Sequence, residues 1–149
     1  MLPIPKARPR SGYHAAFSGP YTVAAALTGG GGLGVFHEDF TDAAAADEAR
    51  LALAARVRCV PDANCDEIFP HQFPAVLRVT TKDGNRHEVR VDANRGGPHN
   101  PLTSEELATK VRLNASRVFD DDAASQVAAA GLALPRAPDL TALMASARG

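Results

Sequence analysis

Tryptophan is absent from this 149-residue chain, and Phe, Trp and Tyr together supply only 5% of it. Aromatic side chains bury the most area each, so their scarcity leaves the core to small residues, although hydrophobic content is 45%. One domain of this length then has a thin core, which points to a chain that finishes its core against something else. There are two cysteines, Cys59 and Cys65, at C-x5-C spacing around Pro61. That spacing matches no common zinc or redox motif, so two reduced thiols in a cytoplasmic protein are the simplest expectation. A local disulfide or a metal pair is the alternative. Charge of one sign is not in excess: the net value is -1, which removes the electrostatic case for nucleic acid or an anionic membrane. No apolar run reaches the ~18 residues of a membrane span. The opening MLPIPKARPR has no apolar core and does not read as a signal peptide.

What the chain does have is a long apolar stretch, Ala15 to Leu27, reading AAFSGPYTVAAAL. With apolar residues on every side it predicts a buried helix over about 18–28. Ser18 is placed to cap it, and Pro20 fits a first turn that needs no N–H donor. Tyr21 then carries a phenol from the first turn into the interior, where it requires a partner in the protein or on a ligand. Gly29 to Gly32 end the helix as a cap and tight turn. A phosphate-loop reading fails, because neither a Lys-Ser/Thr pair nor a preceding strand is present.

Residues 1–14 read as an extended N-terminal segment, since three prolines fall within the first ten residues. Thr41 or Asp42 opens a second helix through about Ala55. Arg56 to Val60 alternates charged and apolar residues, the pattern of a half-buried strand. Residues 61–74 form a loop. Ala75 to Thr81 and Arg86 to Asp92 form a hairpin around Asp83-Gly84, with His87, Val89 and Val91 on one face and Glu88 and Arg90 on the other. Thr103-Ser104-Glu105-Glu106 is a capping box, and Leu107, Val111, Ala115, Val118 and Phe119 recur as a buried helical stripe. Asp120 to Asp122 start a helix running to about Ala130, where Gly131 loosens its end. A last helix covers Asp139 to Ala147. The fold class is α+β: a small antiparallel sheet with helices packed on it, plus C-terminal helices. No metal cluster, Ser-His-Asp set or paired carboxylates are evident.

Three groups of residues, in order, resemble the C-terminal part of the MmgE/PrpD family. They are Ala15-x-Phe17-Ser18-x-Pro20-Tyr21-x-Val23-Ala24-x-x-Leu27; Thr81-x-Asp83-Gly84; and Gly97-Pro98-His99-Asn100-Pro101-Leu102-Thr103 followed by Glu106-Leu107-x-x-Lys110. The likeness covers roughly Pro9 to Leu143. The family includes 2-methylcitrate dehydratase, cis-aconitate decarboxylase and iminodisuccinate epimerase.

The resemblance implies a small α+β lid domain at residues 15–119. It also implies C-terminal helices at 120–149 that pack on a separate helical domain or a partner. The chemistry implied is cofactor-free proton abstraction next to a carboxylate of a small di- or tricarboxylate, ending in dehydration, decarboxylation or epimerisation. The chain is then expected to be a truncated or split enzyme, inactive alone, that needs a helical-domain partner chain or self-association. A non-catalytic binding or interaction module reusing the lid fold is the alternative. Tyr21 matches the family's cleft-facing tyrosine and is the expected catalytic residue, with a core tyrosine bonded to a backbone carbonyl as the competing role. His14 and Ser18 are the expected substrate-binding neighbours. His37, His71, His87 and His99 read as loop or surface groups.

Overall fold

The computed structural model of the chain describes residues 7–29 and 33–148. The expected extended segment as far as residue 6 and glycines 30–32 lie outside the described residues. The chain forms two compact units divided between Pro61 and Asp62.

The first unit is helical. Helix α1, Gly12–Ala15, is a single turn capped by Ser11. Helix α2, Gly19–Thr28, starts at the Ser18 cap with Pro20 in its first turn, where the sequence places both. A 3-10 turn follows at His37–Phe40. Asp39 Oδ2 accepts the Phe36 N–H at 2.9 Å and so closes that turn. The single helix expected through Ala55 is instead two, α3 at Asp42–Ala45 and α4 at Glu48–Ala54. Asp47 causes the break: its backbone is extended and its carboxylate accepts the Arg50 N–H at 2.7 Å, making it an N-cap rather than a first-turn residue. Helix α2 packs on α4, and α1 on α3. Their core is Ala15, Tyr21, Ala25, Ala45 and Leu51, with Val35 and Phe40 against it. Small alanines let the helices approach, and Tyr21 is the largest fully buried side chain among the described residues.

Helix α2 is not covered all round. Pro20, Tyr21, Ala24 and Ala25 are buried, while Ala26 and Leu27 face outward. The expected strand at 56–60 does not form, and Val60 is 69% exposed. Alternation favours a strand only where a neighbouring strand satisfies the backbone, and none stands beside this segment among the described residues.

The second unit opens with helix α5, Ala63–Ile68, inside the stretch expected to be loop. Asp62 caps it by accepting N–H groups from Asn64 and Cys65 at 3.1 and 3.2 Å. Strands β1, Ala75–Thr80, and β2, Arg86–Val91, form the antiparallel hairpin, with Ala75 opposite Val91 and Thr80 opposite Arg86. Gly84 takes the positive φ of 87° that the turn requires. Helix α6, Ser104–Ala115, begins with the expected capping box: Glu106 N–H donates to Thr103 Oγ1 at 3.2 Å, and Thr103 N–H donates to Glu106 Oε2 at 2.9 Å.

Helix α7, Asp121–Ala133, runs through Gly131 rather than ending before it, and α8 is limited to Thr141–Ser146. Asp139 is not in α8, because its carboxylate accepts the Thr141 N–H at 2.8 Å from outside the helix. Helix α7 packs on α6 and on α8. Ala124 and Ala128 of α7 are buried, but the stripe expected to be buried from Leu107 to Phe119 is not: Leu107 on α6 is 43% exposed, and Val118, past the end of that helix, 82%. The architecture is α+β, and its two-stranded sheet lies wholly in this second unit.

Candidate functional site

Tyr21 meets its partners within the first unit. The Ser18 hydroxyl accepts the Tyr21 N–H at 3.2 Å and fixes the first turn of α2. That turn directs the phenol inward, where Tyr21 Oη donates to the main-chain carbonyl of Asp39 at 2.6 Å. Arg50, on α4, approaches the same point from the other side. Its Nη1 donates to Tyr21 Oη at 3.4 Å and to the Asp39 carbonyl at 3.5 Å. Its Nη2 pairs with Asp39 Oδ1 at 2.8 Å. The Asp39 side chain is 7% exposed and that of Arg50 18%. Helix α2, the 3-10 turn and α4 are thus joined at one polar knot inside an otherwise apolar core.

Each buried polar group in the knot is satisfied, which is the condition for placing it there at tolerable cost. The hydrogen bond to Tyr21, and then the Asp39 charge, hold the Arg50 guanidinium above its ordinary value against the opposing cost of burial. Gly29 closes the site from the end of α2. A Cβ there would fall 2.5 Å from Asp39 Oδ1 and 3.0 Å from Arg50 Nη2.

Of the three residues expected from the sequence, Ser18 and Tyr21 are brought together and both are buried. His14 is exposed, and its Nδ1 lies 2.9 Å from Ser11 Oγ. The edge of the Tyr13 ring stands beside it, with centroids 5.9 Å apart. Nothing in the sequence alone marks Asp39 and Arg50 as members of this site. The available signal was the demand of a buried phenol for a partner, which says that something must meet it but not what.

The second unit carries its own polar groups. Burial, and then the neighbouring Asp62 charge, push the Cys65 thiol up, which disfavours the reactive thiolate. Both cysteines are free thiols. In the Gly97-to-Thr103 loop, Asn100 Nδ2 donates to the Ala93 carbonyl at 2.9 Å and Gly96 N–H to the Asn100 carbonyl at 2.7 Å. Asn100 therefore ties the loop to itself ahead of α6, and His99 is exposed beside it. Among the described residues no three of His, Cys, Asp and Glu are grouped to hold a metal, and no helix is long and apolar enough to cross a membrane.

The family model described as the MmgE/PrpD C-terminal domain matches residues 3–134. The chain belongs to the MmgE/PrpD family. No curated protein matches it. The match runs through both compact units, so the helical unit with the Tyr21 knot and the hairpin unit are parts of one MmgE/PrpD C-terminal domain. Helix α8 lies beyond the matched residues.

Proposed function

We propose that this domain serves an MmgE/PrpD-type enzyme acting on small di- and tricarboxylates. The reaction removes a proton next to a carboxylate and ends in dehydration, decarboxylation or epimerisation. The family match over residues 3–134 carries this reading. Such chemistry needs a base, an acid and several donors for carboxylate oxygens. This domain offers Tyr21 as a phenol that gives the substrate a hydrogen bond or a proton, with Ser18 beside it and the exposed His14 of α1 as the further substrate-binding groups. A helical domain, joined to this one or supplied by a partner chain or by self-association, contributes the remaining groups. For Tyr21 to act, its O–H must break its bond to the Asp39 carbonyl and turn to a substrate oxygen, which requires the 3-10 turn at His37–Phe40 to give way.

The complete burial of Tyr21 favours a second reading, a non-catalytic module in which the phenol only holds the core together. One experiment separates the two. The chain is assayed alone and with an MmgE/PrpD helical domain for turnover of small polycarboxylates. The enzyme reading expects turnover only in the combination, and loss of kcat in Tyr21→Phe while the variant still folds and assembles. Full activity in Tyr21→Phe would return that residue to a structural role. An inactive combination that nevertheless assembles would favour the module.

A further inference from the structure

Strand β2 has one edge unpaired: among the described residues the sheet consists of β1 and β2 alone, and all six residues of β2 are exposed. The hydrogen-bonding sense of that edge follows from the turn. Thr81 N–H donates to the Asn85 carbonyl at 2.9 Å, so that pair is hydrogen-bonded. Alternation along the observed register then turns the backbone groups of His87, Val89 and Val91 toward β1, and those of Arg86, Glu88 and Arg90 outward. With Asp92 next in line, the outward row reads positive, negative, positive, negative.

A row of that kind is complementary to itself when reversed. We propose that the free edge of β2 pairs antiparallel with the same edge of a second copy of this chain, about a two-fold axis at Val89. Glu88 then stands opposite the partner's Arg90, and Arg86 opposite the partner's Asp92, each pair occurring twice. Every charge on the row meets its opposite. Sliding the partner by two residues in either direction places Arg86 opposite the partner's Arg90, or Arg90 opposite itself, and like charges directly opposite are unfavourable. Sliding by one sets outward backbone groups against inward ones and forms no ladder. The charge row therefore selects a single register among those with full overlap.

The other face gains as well. Val89 meets the partner's Val89 on the axis, and Leu77, Val89 and Val91, now 41%, 60% and 39% exposed, extend into one apolar stripe across the joined sheets. The pairs already present, Arg78 Nε to Glu88 Oε2 at 2.6 Å and Arg90 Nε to Asp92 Oδ1 at 2.5 Å, become parts of a continuous network over the axis. An isolated hairpin is marginal in water, whereas a four-stranded sheet with an apolar face sustains itself. The contact is isologous, so it closes at two copies.

Sedimentation of the purified chain over a concentration series tests this. Wild type is expected to move from monomer to dimer. Glu88→Arg is expected to lose the dimer, and Glu88→Arg with Arg90→Glu to restore it by exchanging the charges. The register has a separate test in a Cys59→Ser, Cys65→Ser background. Val89→Cys is expected to cross-link to itself on mild oxidation, because a central non-hydrogen-bonded pair brings Cα atoms to about 4.5 Å. Arg90→Cys, displaced from its own copy by two residues, is expected not to cross-link. A chain that stays monomeric overturns the proposal and leaves the edge for a different occupant. Self-association that ignores the charge reversal, or cross-linking by Arg90→Cys as strong as by Val89→Cys, overturns it too.

Discussion

Arg50 Nη2 lies 2.8 Å from Asp39 Oδ1, and through Nη1 the same guanidinium reaches the Tyr21 phenol at 3.4 Å. The phenol in turn donates to the main chain of Asp39. One cation thus reads both a carboxylate and a phenol from a core made largely of alanine. Small side chains contribute little burial energy each, so the few directional contacts decide how α2, the 3-10 turn and α4 are set relative to one another.

Tyr21→Phe isolates the phenol's share of that arrangement. The ring still fills its place, so no cavity forms. The Asp39 carbonyl loses its 2.6 Å donor but keeps the longer approach of Arg50 Nη1 at 3.5 Å. A cost of about 1 kcal/mol in urea unfolding is expected, at the low end for a buried acceptor deprived of its donor. A cost above ~3 kcal/mol would mean that the phenol organises more of the unit than its bonds indicate.

The ion pair can be taken apart from either side. Arg50→Met strands the Asp39 carboxylate, while Asp39→Asn strands the guanidinium and weakens the acceptor that closes the 3-10 turn. Each is expected to cost about 2 kcal/mol, below the ~3–5 kcal/mol of fully buried pairs, because the Arg50 side chain keeps 18% of its surface in water. The double variant should cost less than the sum of the two, by about 1 kcal/mol. Strict additivity in a double-mutant cycle would show that the two residues do not act on each other.

Gly29→Ala and Gly131→Ala make a pair of opposite sign. At Gly29 the new methyl would fall 2.5 Å from Asp39 Oδ1, 3.0 Å from Arg50 Nη2 and 3.1 Å from the Ala25 carbonyl, so the ion pair must open to admit it. A loss of ~1–3 kcal/mol is expected. At Gly131, inside α7, a Cβ meets nothing within 4 Å. There the change should stabilise by ~0.5–1 kcal/mol, since Ala is the better helix former. Thermal unfolding midpoints read both. A stable Gly29→Ala would mean that the knot is looser than its distances.

The hairpin and the Thr103 helix are legible in the sequence because their signals are local. Asp83-Gly84 specifies its own turn, and Thr103 with Glu106 specifies its own cap. The break at Asp47 is harder to read. An acidic residue favours the first turn of a helix and its N-cap alike, and only the extended backbone at Asp47 decides between them. The alternation at Arg56 to Val60 predicts a strand, but a strand needs a neighbour that this stretch does not signal. At the candidate site the need of Tyr21 for a partner is legible, and so is its cap. The partner itself is a backbone carbonyl, which leaves no trace in residue type. Arg50 looks like any charged residue on a short helix until α2 and α4 are packed together.

The Asp62 cap gives the second unit a pH dependence of definite sign. The Cys65 N–H, and after it the Asn64 N–H, hold the Asp62 carboxyl below its usual range, against the cost of burial. A carboxylate with a depressed folded-state pKa contributes stability that is fully present above its unfolded value, near 4, and is lost as pH falls through the folded value. Helix α5 should therefore keep its first turn through mild acid and fray only below about pH 4. In an NMR titration the Asn64 and Cys65 amide shifts are expected to move together in that range. Asp62→Asn, which keeps an acceptor but cannot ionise, should abolish the movement. Amides that titrate unchanged in Asp62→Asn would assign the transition to another carboxylate and remove Asp62 as the group that holds this helix.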